Sequence, residues 1–277
     1  MRNARSDVVG WLHGGVAAFQ FLTRLPVPVQ ISYTAQVFRR SVVFYPLAGL
    51  VIGLLLLLAG TGLRWLLPPL PAAVLLLAVW VALTGGLHLD GLMDTADGIL
   101  SHRPREQMLE IMKDSRVGAM GVIVCVLHLL LKVSLLYSLL SSDSGGGWQT
   151  ASMCLVMIPV WSRWFMAFAI YGWPYARQES GLGSLFRGVT RSDVLLSALI
   201  ALASVLAVAW LGQERWLAGV PTGAAALLIA LASLLIGWLI ATYISRKLGG
   251  LTGDTYGALN ELLEGLLLLA VVILVNR

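Results

Sequence analysis

Charge is what this sequence has least of. Asp, Glu, Lys and Arg make up 12% of its 277 residues, where soluble domains average about 25%. That scarcity excludes an ordinary water-soluble domain. With 58% hydrophobic residues, gathered in long runs, it predicts an integral membrane protein with several helices. Cysteine is scarce as well. Cys125 and Cys154 both sit in apolar runs, which excludes a disulfide framework or a cysteine zinc site and leaves both as small core side chains. There is no GxSxG, no P-loop and no HExxH, so serine-nucleophile chemistry and P-loop ATP hydrolysis have no support. The net charge of +5 is not a nucleic-acid signal here, because Lys and Arg in loops on one side of a bilayer account for it. The basic N-terminal stretch leads into no clean apolar run with a small-residue cleavage site, so no removable signal peptide is expected. No internal repeat or low-complexity tract interrupts the chain, and residues 1–277 read as a single membrane-embedded domain.

The apolar runs define the architecture: all-α, a polytopic helical bundle with about seven transmembrane helices. The expected spans are 42–63, 70–89, 118–140, 150–171, 193–211, 219–244 and 258–275, each near the roughly 20 residues a bilayer core requires. Gly49 and Gly53 in the first span have the GxxxG spacing that permits close helix contact. Residues 8–25 carry Trp11, His13, Gln20 and Arg24. That stretch is too polar and short for a span, and fits an interfacial or re-entrant helix ended by Pro26 and Pro28.

Loop charges set the expected orientation. The N-terminal region with 90–117, 172–192 and 245–257 holds fourteen of the nineteen Lys and Arg; only Arg64, Arg215 and Arg277 fall on the other side, and Lys132 and Arg163 lie within spans. The positive-inside rule therefore puts the N-terminus in the cytoplasm and the C-terminus outside. Any chemistry would face the cytoplasm.

The chemistry points to Gly86–Gly121, GLHLDGLMDTADGILSHRPREQMLEIMKDSRVGAMG, which contains six of the fourteen acidic residues. Asp90, Asp94 and Asp97 stand at i, i+4 and i+7, on one face of a helix. Three like charges on one face call for a positive partner, and hard cations such as Mg²⁺ take carboxylates together with substrate phosphates. Acidic residues at the end of an apolar span are costly and tend to be functional. Glu106 and Glu110 read instead as the outer face of an amphipathic surface helix whose other side is Met108, Leu109, Ile111 and Met112. Asp114 stands beside Arg116 at the entry to the next span. His88 precedes the stripe as a candidate general base or as a partner that orients a metal-binding carboxylate, although a lone histidine near a helix end is more often structural.

Three further places complete the candidate site. GGLTGDTYGALNELLE at 249–264 reads as a flexible glycine loop bearing Asp254, with Asn260, Glu261 and Glu264 opening the last helix; for Glu261 a dipole role serves equally well. Arg163, inside IPVWSRWFMAF, is expensive in a membrane unless it holds a phosphate or pairs with an aspartate of the stripe. Lys132 and His128 are similar but weaker. The loop RQESGLGSLFRGVTR, with Arg177 and Arg187, suits an anionic substrate, and equally satisfies the positive-inside rule alone.

GGLHLDGLMDTADG followed by MLEIMKDSRVGAMG closely resembles the cobalamin synthase family, the adenosylcobinamide-GDP ribazoletransferases. FLTRLPVP, FYPLAGLVIG, WSRW at 161–164 and GGLTGDTYGA agree in the same order, so the resemblance covers nearly the whole chain. It implies a Mg²⁺-dependent transferase of the bacterial cytoplasmic (inner) membrane. Such an enzyme joins adenosylcobinamide-GDP to α-ribazole, or its 5′-phosphate, and releases GMP. By that likeness the site positions are Asp90, Asp94, Asp97, Asp114, Arg116 and Asp254. Metal would sit on Asp90, Asp94, Asp97 and Asp114, with Asp94, Asp97 and His88 nearest the chemistry and Arg116, Arg163, Arg177, Arg187 and Asp254 toward substrate. The partners implied are these substrates and the lipid bilayer, no nucleic acid, and the oligomeric state is open, a homo-oligomer included. Two other readings remain in view. A CDP-alcohol phosphotransferase also uses membrane aspartates, but its Asp-Gly followed shortly by Ala-Arg is absent here. A cation-coupled transporter would place its acids near the midplane, often with repeats, whereas these cluster at one face.

Overall fold

The computed structural model describes residues 2–141, 147–177, 185–186, 188–211, 216–217 and 220–275. Eleven α-helices follow in order among them: α1 (Arg2–Leu22), α2 (Ala35–Ser41), α3 (Tyr45–Leu66), α4 (Pro69–Thr84), α5 (Leu87–Leu100), α6 (Arg105–Ile111), α7 (Ala119–Leu140), α8 (Gly147–Gly172), α9 (Arg191–Leu211), α10 (Thr222–Leu248) and α11 (Gly253–Val275). Beyond a 3₁₀ turn joining α2 to α3, the described residues add a two-residue antiparallel pairing between α9 and α10 and a single bridge from Tyr175 to Leu251.

Six helical stretches are long and apolar enough to cross a membrane: Ala35–Leu66, Ala119–Leu140, Ser152–Gly172, Arg191–Leu211, Gly223–Leu248 and Gly253–Leu274. α1 is not among them, in keeping with the polar character of its sequence. The stretch expected as one span at 70–89 is different. α4 stops at Thr84, and α5 leaves it at 90°. Gly85 and Gly86 make the break, with φ of 66° and 73°, a left-handed conformation that costs other residues roughly 1–2 kcal/mol. α4 and α5 together form one bent pair, which makes a seventh crossing if the pair is taken as a single broken span. α5, with its three aspartates, runs at a right angle to α4.

The bundle is organised around α8, whose apolar window is 78% buried and which packs against α3, α9, α10 and α11. Gly49 and Gly53 bring α3 onto it: a Cβ at either would collide with the α8 backbone at Pro159 or Val156. This is the close approach the GxxxG spacing permits. The outward faces of α7, α9 and α10 expose Leu127, Leu199, Leu231 and Leu235, an apolar surface suited to lipid.

The polar connections collect at one end. Arg24 donates its amide to Leu83 O at 2.7 Å, Arg39 pairs with Asp193 at 2.8 Å, and Arg105 spans from α6 to the end of α10. At the other end Arg64 donates to Leu140 O and Trp148 to Thr61.

α11 also departs from expectation. It begins at Gly253 rather than near 258, so Asp254 lies in a first helical turn, not in a loop. Thr252 and Thr255 are the reason: each backbone N–H reaches the other's hydroxyl, at 2.8 and 3.3 Å, a reciprocal cap of the capping-box kind. Asn260, Glu261 and Glu264 consequently sit two to three turns inside the helix, and all three are buried.

Candidate functional site

The break at Gly85–Gly86 lays α5 against the first turns of α11. Contact there is close: a Cβ on Gly91 would stand 2.5 Å from Asp254 O. Asp90 and Asp254, 164 residues apart in sequence, therefore border one cavity of about 200 Å³. Arg177 borders it too and donates to Asp254 Oδ2 at 2.8 Å. The opposite wall is apolar and aromatic, with Phe21 from α1, Tyr45 from α3, Met166 and Ile170 from α8, Phe186, and Tyr256 from α11.

The three aspartates of the stripe do share a helix face, but their environments diverge. Asp90 is exposed at the cavity. Asp94 is half-buried, and its carboxyl is pushed up to about 7, first by desolvation and then by the charges of Asp90, Asp254 and Asp97, against which Arg177 pulls down. Asp97 faces α7: Oδ2 accepts from Gly118 N–H and Oδ1 from Gly121 N–H, both at 2.8 Å. The N-cap of α7 is Gly118, which has no side chain to bind the orphan amides of the first turn, so Asp97 caps the helix from outside.

Asp114 and Arg116 pair with each other in the loop before α7. Arg116 donates to both carboxylate oxygens, the shortest contact being 2.6 Å, and these bonds hold Asp114 down to about 2. Neither borders the cavity. Glu106 and Glu110 are exposed on α6 while Met108 and Met112 are buried, the surface-helix arrangement their spacing predicts. Arg187 lies outside the described residues.

His88 lies at the cavity but is buried, and its Nδ1 meets the Asn260 amide nitrogen at 3.1 Å. An amide nitrogen only donates, so Nδ1 accepts and Nε2 carries the hydrogen. Arg163 is not brought to the cavity. It is fully buried and pairs with Glu264 on α11, donating also to Pro159 O and Ser162 Oγ at 3.3 and 3.1 Å. Lys132 donates to Glu261 and Glu264 at 3.0 Å each, His128 meets Glu261 at 3.0 Å, and Lys132 lies 4.0 Å from the centre of the Trp80 ring. The intramembrane cations thus have their own carboxylates on α11, and the aspartates of α5 do not serve them.

One residue has a role that its sequence context hides. Arg105 donates to Leu248 O at 2.7 Å and to Ala176 O at 3.1 Å. It ties the end of α10 to the strap 174–177, which is also hydrogen-bonded to Leu251 on both sides, at 2.8 Å each. This clamp sets Arg177 beside Asp254. In RPREQ the residue reads only as a loop charge.

Among the described residues no three His, Cys, Asp or Glu side chains stand close enough to hold a metal ion by themselves. The donor chemistry nevertheless fits Mg²⁺. Asp90, Asp94 and Asp254 are hard oxygen donors whose mutual repulsion raises Asp94, and Mg²⁺ is commonly held by one or two carboxylates plus substrate phosphates. A larger cavity, about 600 Å³, opens at the other end beside Arg64, Trp65 and Trp148; none of its described lining residues is acidic.

Fold and site together define a polytopic helical membrane protein with a carboxylate- and guanidinium-rimmed pocket at one end of its bundle. The family model described as cobalamin-5-phosphate synthase matches residues 14–272, and the chain belongs to that family. Its relatives include adenosylcobinamide-GDP ribazoletransferases from three bacteria. The protein from Desulfitobacterium hafniense is 43% identical over 252 residues, covering 91% of this chain and 93% of its own. The one from Brevibacillus brevis is 41% identical, covering 92% and 96%. That from Klebsiella pneumoniae is 40% identical, covering 92% and 98%. No solved structure matches the chain.

Proposed function

We propose that this chain is an adenosylcobinamide-GDP ribazoletransferase, a multi-pass enzyme of the bacterial cytoplasmic membrane whose site faces the cytoplasm. It joins adenosylcobinamide-GDP to α-ribazole or its 5′-phosphate and releases GMP. The observation that carries the reading is the meeting of Asp90, Asp254 and Arg177 around one cavity, in a chain matched over nine-tenths of its length by transferases of that name. Carboxylates for a metal and a guanidinium for phosphate are the parts that transfer at a diphosphate requires.

In this reading a ribazole hydroxyl attacks the corrinoid-side phosphorus, and the bridging P–O bond breaks to release GMP. Asp90 and Asp94 would hold Mg²⁺, which when bound would offset the charge of the diphosphate and of the leaving group. Arg177, fixed by the strap and the Arg105 clamp, positions the diphosphate. Asp254 takes the hydroxyl proton. His88, with its hydrogen on Nε2, is a donor toward substrate. Asp97 keeps the α5 stripe in register with α7, and the Asp114–Arg116 pair stays in the loop before α7.

The test is direct. Purified protein in nanodiscs should convert adenosylcobinamide-GDP and α-ribazole to the cobalamin and GMP with Mg²⁺ present, stop on addition of EDTA, and resume when Mg²⁺ is restored. Absence of product, with metal-dependent solute uptake into vesicles instead, would overturn the enzyme in favour of a transporter.

A further inference from the structure

The cavity beside Asp90 and Asp254 has a second half that the transfer chemistry does not use. Away from the charged rim its wall is Leu87, Met166 and Ile170 with a cluster of rings. Phe186 lies at its centre, 6.5 Å from Tyr45, 6.2 Å from Phe21 and 5.3 Å from Phe38 between ring centres. Two side chains of this wall end in buried polar atoms, Tyr45 Oη and His88 Nε2, that have no hydrogen-bond partner among the described residues. The Ser41 hydroxyl nearby donates its hydrogen to Phe38 O at 2.7 Å, so toward the tyrosine it can only accept. Buried polar groups normally find partners, so two such groups on the wall of one cavity point to a ligand.

We propose that this inner half seats the heteroaromatic base of the ribazole nucleoside, with the Tyr45 hydroxyl reading its free ring nitrogen, and thereby selects which base is accepted. The proposal rests on the transferase reading above. Size is the first argument. At about 200 Å³ the cavity lies below the roughly 300–1,000 Å³ of sites for drug-sized ligands and above the ~150 Å³ void that holds one benzene ring. The whole cavity, charged rim included, is thus too small for a corrin macrocycle, and its inner half leaves room only for a flat ring. Polarity is the second. A guanine edge presents several donors and acceptors and would leave most of them unmet here, at a cost for each. A benzimidazole nucleoside offers one in-plane acceptor to an otherwise apolar, aromatic wall. Direction is the third. With the base inside, the sugar projects toward Asp90, Asp254 and Arg177, where a hydroxyl must meet the diphosphate, and His88 Nε2–H is left to donate to a sugar oxygen.

The experiment compares α-ribazole with its indole analogue, which has C–H in place of the free ring nitrogen, on full-length protein in nanodiscs. Wild-type protein should show a KM about tenfold lower for α-ribazole, the size of one net hydrogen bond. Tyr45→Phe should abolish that preference by raising the α-ribazole KM alone, leaving the KM for adenosylcobinamide-GDP in place. A rise in the KM for adenosylcobinamide-GDP, with the nucleosides unmoved, would overturn the assignment in favour of guanine. Equilibrium dialysis of the two nucleosides separates this proposal from the enzymatic one. Tighter binding of α-ribazole that Tyr45→Phe removes supports the base site even without turnover. Equal binding of both nucleosides to wild-type protein overturns it, whether or not the variant folds.

Discussion

Both oxygens of Asp97 are occupied by backbone amides of α7, while Asp94, three residues earlier, has like charges around it. The same side chain therefore stabilises at one position and strains at the other, and substitutions should separate the two. Asp97→Ala uncaps α7, whose own N-cap is a glycine, and should cost about 1–2 kcal/mol of stability. Asp94→Asn relieves repulsion, so metal-free protein should unfold at the same temperature or higher, yet turnover should be abolished. Thermal unfolding of both variants in nanodiscs, set beside their rates, checks this. Normal turnover in Asp94→Asn removes that residue from the metal site. The i, i+4, i+7 stripe was legible in the sequence because helical spacing is a local property. The cap was not, because Gly118 and Asp97 meet only once α5 and α7 are packed.

At the level of elements, α11 carries two unlike faces of acid. Asp254 in its first turn opens on the cavity, and Glu261 and Glu264 further in bind Lys132, His128 and Arg163. The sequence marks every one of these charges as anomalous in an apolar run. It does not say who pairs with whom, because Arg163 and Glu264 lie 101 residues apart and the start of α11 depends on the Thr252–Thr255 cap rather than on hydropathy. Removing one partner from a buried network leaves an uncompensated charge, at about 3–5 kcal/mol, whereas removing charge from both sides is often nearly neutral. Lys132→Met should therefore destabilise the bundle by that order, and Lys132→Met with Glu261→Gln should recover more than half of the loss. Unfolding in a denaturing-detergent titration measures both. Equal losses in the single and double variants would mean that Lys132 serves by packing on Trp80, not by its charge.

For the whole molecule, the site depends on one end of the bundle being the meeting place of segments far apart in the chain: α5, the strap 174–177, the turn after α10 and the start of α11. Arg105 and Arg177 hold three of these together through contacts spanning 71 to 143 residues, and loop charge had already assigned all of them to one side. That same asymmetry, fourteen Lys and Arg against three, carries the proposed orientation, since positive loops are retained in the cytoplasm. A cytoplasmic face is also where a nucleotide-bearing corrinoid and a ribazole would meet without crossing the bilayer. Ser115→Cys, on the exposed loop beside Asp114, should react with a membrane-impermeant maleimide in inverted vesicles and resist it in intact cells. Leu66→Cys, at the far end of α3 and 70% exposed in the native residue, should do the reverse. The native thiols give a low background, Cys154 being buried and Cys125 lying within α7. If both patterns are exchanged, the acidic pocket faces outward, and the positive-inside argument fails for this chain even though the pocket itself stands.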